Sequence, residues 1–198
     1  MLQAPAVKEG TLALLEKIMT DKFFNKFFLV GETSLALQLE HRQSVDLDLF
    51  SLENIDISCL NEYLKSHYGF IRNFAAPNTL KGTIEGVEMD FISYKYPLLK
   101  PIMKLDNFRL ASIEDVTAMK LSAIVNNGTR IKDFVDIAYL SNKFCLNEML
   151  NFYKKKYDED PTVAVHSLTY YDDVDFSDKV ELVAGRKFSW ELVKIRLD

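Results

Sequence analysis

Apolar and polar positions along the chain change period several times, and each change marks an element. Between residues 11 and 26, Leu12, Leu14, Leu15, Ile18 and Met19 recur at three- and four-residue spacing. That predicts an amphipathic helix, with Thr11 after Gly10 as its N-cap. Phe27–Val30 is a short apolar run closed by Gly31, and a helix from about Thr33 to Glu40 follows. A strand over Val45–Phe50 comes next. Residues two apart in a strand share a face, so Asp46 and Asp48 project together while Val45, Leu47 and Leu49 turn the other way. A further helix over residues 54–68 carries Ile57, Leu60, Tyr63 and Leu64, and Gly69 ends it before a strand starting at Phe70–Phe74. Residues 79–94 read as a hairpin, TLKGTI and VEMDFISY joined by Glu85-Gly86. On its second strand Val87, Met89 and Phe91 share one face, and Glu88, Asp90 and Ile92 the other.

Past a break at Tyr96-Pro97 to Pro101, Leu105–Leu110 reads as a short connection. Ser112 then caps a helix with Asp115 three residues on, close to a capping box, and the helix stops at Asn126-Asn127-Gly128. Arg130 to Asp133 opens another, in which Asp133 and Asp136 lie three apart on one face and Phe134, Ile137 and Leu140 supply apolar contacts, with Lys132–Asp136 at i,i+4 as an alternative, ordinary surface pair. A last helix over 146–157 ends in Lys154-Lys155-Lys156, read as a solvated end or an RNA-backbone contact. The tail from Asp158 is polar, holds an acidic run at Tyr170–Asp175, and closes on an amphipathic SWELVKIRLD.

Composition narrows the class. At 198 residues, 48 % apolar and 27 % charged, the chain has the balance of a soluble domain with a substantial core. No apolar run approaches the ~18 residues that span a bilayer. MLQAPAVKEG lacks the apolar centre of a signal peptide, so the expected location is cytoplasmic. Cys59 and Cys145 lie far apart in apolar sequence and are expected to be buried, reduced thiols. A formal net charge of −5 argues against broad nonspecific binding to nucleic acid.

Candidate chemistry gathers around Phe27 to Phe50. Two adjacent carboxylates repel and gain little as structure, but they can bridge a divalent cation. Asp90, inside an otherwise apolar strand, needs a partner or a metal and is the candidate third carboxylate; the alternative is an exposed edge position. A glycine turn feeding a helix offers free N–H groups and a favourable dipole to phosphate at Gly31, with Thr33 and Ser34 as added hydroxyl donors. The full G-x-x-x-x-G-K-[ST] loop is missing, which excludes a P-loop NTPase. His41 has no second His or Cys at metal spacing. Arg42 reads as a holder of Asp46, as a phosphate contact, or as a surface residue. Lys120, among Met119, Leu121 and Ala123, either snorkels or reaches into a cleft as a phosphate contact. An Asp pair preceded by Arg42-Gln43-Ser44-Val45 does not follow a continuous apolar strand, which rejects a haloacid-dehalogenase-like phosphatase. Missing Gly and Glu offsets reject an EF-hand.

GETSLALQLEHRQSVDLDLF resembles the first signature of the AbiEii/AbiGii toxin family of nucleotidyltransferases, within the polymerase-beta-like superfamily. KLSAIVNNGTRIKDFVDIAYL, residues 120–140, resembles its second, and HSLTYYDDVDF, residues 166–176, a less informative third. The resemblance implies an α+β minimal nucleotidyltransferase fold, a small mixed sheet flanked by helices with a helical C-terminal segment. Residues 1–100 would be the core bearing the carboxylates, and 101–198 the segment completing the site. Gly31 and Ser34 would match the turn that holds nucleotide phosphates. Asp46 and Asp48 would match the metal pair and Asp90 the third ligand, while Lys120 and Asp133 match active-site positions. The implied chemistry is Mg2+-dependent (Mn2+ as a substitute) transfer of NMP from an NTP to an RNA, such as a tRNA 3′ end, or to a protein hydroxyl, with release of pyrophosphate. The implied partners are NTP, an RNA acceptor and a cognate antitoxin in a toxin–antitoxin or phage-defence system, without membrane or DNA. Two positions depart from the family: Glu32 replaces a usual glycine, and Asn127 replaces a usual arginine before glycine. They favour the alternative of a catalytically weak or inactive fold acting as a binding partner.

Overall fold

Phe27–Leu29 forms β1, Leu47–Ser51 β2, Ile71–Ala76 β3, Thr79–Ile84 β4, Val87–Ser93 β5, Met103–Leu105 β6 and Phe108–Leu110 β7 in the computed structural model, which describes residues 6–184 and 189–197. They build one sheet in the order β3-β4-β5-β2-β1-β7-β6. The pairings β2·β5 and β1·β7 are parallel and the others antiparallel, so the expected mixed sheet is present. Leu105–Leu110 is therefore no plain connection. It contains the turn of the β6–β7 hairpin, which carries the sheet past β1.

The helices are α1 (Glu9–Thr20), α2 (Gly31–Leu39), α3 (Ile57–Tyr68), α4 (Ile113–Asn126), α5 (Ile131–Leu140), α6 (Leu146–Tyr157), α7 (Pro161–Leu168) and α8 (Trp190–Leu197). α1 stops earlier than its pattern suggests because the Asp21 carboxylate accepts from the Phe23 N–H and starts a separate 3-10 turn, Lys22–Phe24. Thr11 is not its cap. The helix begins at Glu9, and the buried Thr11 hydroxyl donates to the Val45 carbonyl at 3.1 Å. Gly69 in the left-handed region ends α3 as expected, and Ser112 caps α4 by accepting from the Asp115 N–H. Of MLQAPAVKEG, residues 1–5 lie outside the described residues, as does Asp198 of the closing segment. Among the described residues no helix is long and apolar enough to cross a membrane.

Strand alternation divides the core in two. Phe27, Leu29, Leu47, Leu49, Met89 and Phe91 pack with α1 and α3 on one face of the sheet. Phe28 and Val30 pack on the opposite face with Leu35 of α2 and the apolar sides of α4 to α8. Asp48 and Asp90 alternate with the first set, so they point to the face covered by the later helices.

Both cysteines are free, but they are exposed rather than buried. Cys59 sits in the first turn of α3 beside the buried Leu60, on the other side of the helix. Cys145 is the N-cap of α6, where its N–H donates to the Glu148 carboxylate at 2.8 Å. Lys156 is also misread as solvated. It is 2 % exposed, and its ammonium donates to Asp115 at 2.6 Å and to the Pro97 carbonyl at 2.9 Å.

Candidate active site

β2 begins at Leu47, so Asp46 lies just ahead of the strand rather than in it. The preceding residues are tied elsewhere: the Ser44 N–H donates to Ala6 O and the Gln43 N–H to Glu181 O. Asp48 then stands beside Asp90 in the parallel β2·β5 register. A cavity of about 210 Å³ is lined by Glu32, Asp46, Leu47, Asp48, Glu88, Asp90 and Arg130. The three carboxylates anticipated from sequence thus share one pocket, together with two acids and an arginine that the strand pattern did not single out.

Gly31 makes this packing possible. Its φ is +66°, and a Cβ there would lie 2.2 Å from Asp48 Oδ2, so any other residue would be strained and would collide with the carboxylate. The Val30 N–H donates to Asp48 O at 2.9 Å, locking the α2 N-terminus to β2. The N-terminal turn of α2 therefore opens directly above Asp48.

Burial and neighbouring charges raise two of these acids, Asp48 and Asp46. Burial pushes the Asp48 carboxyl up, the negative charges of Asp90 and Glu32 add to it, and the group reaches about 7. Burial, then Glu32 and Glu88, also push Asp46 upward. Lys81, across β4·β5, makes an ion pair with Asp90. No cation is hydrogen-bonded to Asp46 or Asp48 among the described residues. Nor is any group of three or more His, Cys, Asp or Glu there placed to hold a metal ion as it stands. The chemistry of the lining, carboxylate oxygens that repel one another, is of the kind a hard divalent cation takes and would relieve.

Behind the pocket lies a buried ion network that sequence reading only partly foresaw. Asp136, fully buried, is its hub. It accepts from Arg42 Nε at 2.6 Å and Nη2 at 2.9 Å, contacts His41 Nε2 at 2.7 Å, and pairs with Lys120 at 2.7 Å. Lys120 also donates to Asp133 at 2.6 Å. Arg42 donates to Glu32 at 3.0 Å, and the Ser44 hydroxyl donates to the other Glu32 oxygen at 3.0 Å. Burial opposes ionisation of Asp136 and Glu32, but the cations outweigh it: Arg42 and Lys120 hold both below the ordinary carboxylate range, Asp136 by far the more. Burial drives the His41 imidazole down, leaving it neutral at pH 7 despite Asp136.

Several expectations change accordingly. Arg42 neither holds Asp46 nor lies on the surface; it is 1 % exposed and holds Asp136 and Glu32. The supposed Lys132–Asp136 surface pair does not form, because α5 turns Asp136 inward and Lys132 pairs with Asp178 at 3.6 Å. Lys120 does not snorkel. Thr33 and Ser34 are buried: the Thr33 hydroxyl is shared with Ser44 and the Asp46 carbonyl, and the Ser34 hydroxyl accepts from Gln38. Glu32 does not thrust a free charge into the turn, being bound by Arg42 and Ser44. Arg130 went unremarked in the sequence. It is half exposed, lies 3.8 Å from Glu32 and 3.7 Å from Asp133, and is the cation lining the pocket.

A family model described as nucleotidyl transferase AbiEii toxin, type IV toxin–antitoxin system, matches residues 13–187. An uncharacterized Aquifex aeolicus protein, aq_aa25, is 31 % identical over 174 residues, covering 84 % of each chain. Two solved Helicobacter pylori structures share the fold. JHP933 superposes with a TM-score of 0.56 at 20 % identity, covering 96 % of this chain and 90 % of its own. A protein provisionally assigned as a nucleotidyltransferase gives 0.55 at 19 %, covering 96 % and 92 %.

Proposed function

We propose that this chain, which belongs to the nucleotidyl transferase AbiEii toxin family of type IV toxin–antitoxin systems and is a nucleotidyltransferase, transfers NMP from an NTP to an acceptor hydroxyl with a divalent cation held by Asp46, Asp48 and Asp90. The observation that carries the reading is the pocket in which Asp48 and Asp90 lie side by side and Asp48 has no ion-pair partner among the described residues, its carboxyl pushed up to about 7. Mg2+, or Mn2+ in its place, would supply Lewis-acid activation of the attacking hydroxyl and neutralisation of the leaving pyrophosphate. Asp90 would orient that hydroxyl. The α2 N-terminus offers its free N–H groups and dipole to the phosphates, with Gly31 permitting close approach. Arg130 faces the same pocket, whereas Lys120, Arg42 and Asp133 act from behind it by fixing α4, α5 and the lead into β2. Residues 1–100 would carry the carboxylates and 101–198 complete the site.

The acceptor we favour is RNA, a tRNA 3′ end in particular, with a protein hydroxyl as the other candidate. In that reading the protein is a cytoplasmic toxin of a toxin–antitoxin or phage-defence system, restrained by an antitoxin. Purified protein incubated with Mg2+, each labelled NTP in turn and bulk tRNA should label RNA, and Asp48→Asn should abolish labelling while staying folded. Equal labelling by that variant sinks the metal assignment. A second reading, a weak or inactive fold that only binds a partner, is favoured by the internal engagement of Arg42, Lys120, Thr33 and Ser34. No labelling by wild type with any of the four NTPs, alongside intact antitoxin binding, would select it.

A further inference from the structure

The hairpin that delivers Asp90 also delivers its counter-ion. The Glu85-Gly86 turn fixes the β4·β5 register so that Lys81 stands directly opposite Asp90, and cross-strand neighbours share a face of the sheet. The Lys81 ammonium donates to Asp90 Oδ2. β4 is held on both sides, Lys81 pairing with Phe74 of β3 and with Asp90 of β5, so its backbone is fixed. The side chain is not. It is 43 % exposed against 25 % for Asp90, so the ammonium can leave Asp90 for water without being buried unpaired. The contrast with the cations behind the pocket is sharp: Arg42 and Lys120 are almost wholly enclosed and each holds two acids.

We propose that Lys81 is the resident counter-ion of Asp90, displaced when a divalent cation binds, and that it thereby sets the cation affinity of the pocket. The proposal rests on the reading of Asp46, Asp48 and Asp90 as ligands. A cation shared by those three must take the Asp90 oxygen from the ammonium, so binding exchanges one positive charge for another. Removing the ammonium removes both a competitor for Asp90 and a positive charge beside the incoming ion. The two effects have the same sign. A solvent-accessible ion pair of this kind is weak, which puts the gain at about two- to fivefold in affinity.

The test is a calorimetric titration of the full chain with Mn2+ alone, without nucleotide, so that the readout is independent of catalysis. Lys81→Gln and Lys81→Met should each bind Mn2+ about two- to fivefold more tightly than wild type, and Lys81→Arg should stay within twofold of it. Lys104→Gln, at an exposed lysine on the far edge strand β6, should leave the affinity unchanged. Unchanged or weaker binding in both neutral Lys81 variants overturns the proposal while leaving the metal reading intact, as does equal tightening by Lys104→Gln or by Lys81→Arg. Absence of Mn2+ binding by wild type overturns both together.

Discussion

Replacing Asp48 with Asn should make the protein more stable while removing its activity. The carboxyl moves from 3.8 in an unfolded chain to about 7 in the folded one. That is about three pH units, and at about 1.4 kcal/mol per unit the ceiling is roughly 4 kcal/mol. Asp48 retains some contact with solvent, which screens the repulsion, so a gain of about 1–3 kcal/mol is expected. The sign follows from proton counting. Between about pH 4 and pH 7 the native state holds a proton at Asp48 that the unfolded chain has lost, so wild-type stability contributed by this group falls as pH rises through that window. The Asn variant has no such loss. Urea unfolding in EDTA should therefore give nearly equal midpoints for the two proteins at about pH 3.5, below both values, and a higher midpoint for Asp48→Asn at about pH 8. Mg2+ should raise the wild-type midpoint by ligand linkage and leave the variant's unmoved. A variant less stable than wild type at pH 8, or a difference independent of pH, would refute the view that Asp48 is held in the pocket against burial and like charge.

Other substitutions test the surrounding structure. Asp136→Asn removes the hub that Arg42 and Lys120 share and leaves buried cations undercompensated, so urea unfolding should show a loss of about 3–5 kcal/mol. Gly31→Ala forces a Cβ toward the Asp48 carboxylate at a left-handed φ; a stability loss of about 1–3 kcal/mol is expected, with labelling activity lost beyond what unfolding explains. Glu32→Gln removes one of the charges that raise Asp48, so carboxyl NMR titration should find the Asp48 pKa moved down from about 7; an unchanged or higher value would contradict the assigned cause.

The central strands and most helices were legible because one side of each is buried, and burial writes itself as period 2 or 3.6; the short β6–β7 hairpin, three residues a strand, carries too little pattern to show. Asp48 and Asp90 could be placed on one face for that reason. Lys81 was within reach too: a two-residue turn at Glu85-Gly86 fixes its register opposite Asp90, but an exposed lysine on a strand carries no pattern that draws notice. The spacing put Asp133 and Asp136 on one face of α5, but i,i+4 spacing to Lys132 equally describes a surface pair, and nothing local says that the helix buries Asp136. The partners that turn it inward, His41 and Arg42, are more than ninety residues away in sequence. Arg42 and Lys156 show the same limit. Neither the choice of Asp46 as the acid held by Arg42 nor the solvated end given to Lys156 could be corrected until the acids that hold them were known, Asp136 and Glu32 for Arg42 and Asp115 for Lys156. The exposed cysteines failed in the opposite sense: Cys59 sits beside the buried Leu60 but is not on its face of α3, and Cys145 caps α6 at the surface next to the exposed Leu146.

The central claim is that the pocket under Gly31 performs nucleotidyl transfer with a divalent cation. Pyrophosphate release measured with each of the four NTPs, with bulk tRNA, and with Mg2+ or EDTA tests it most directly. Release is expected with at least one NTP, requiring Mg2+, matched by label on the acceptor, and lost in Asp48→Asn. Release that persists in EDTA, or that survives Asp48→Asn unchanged, would contradict it.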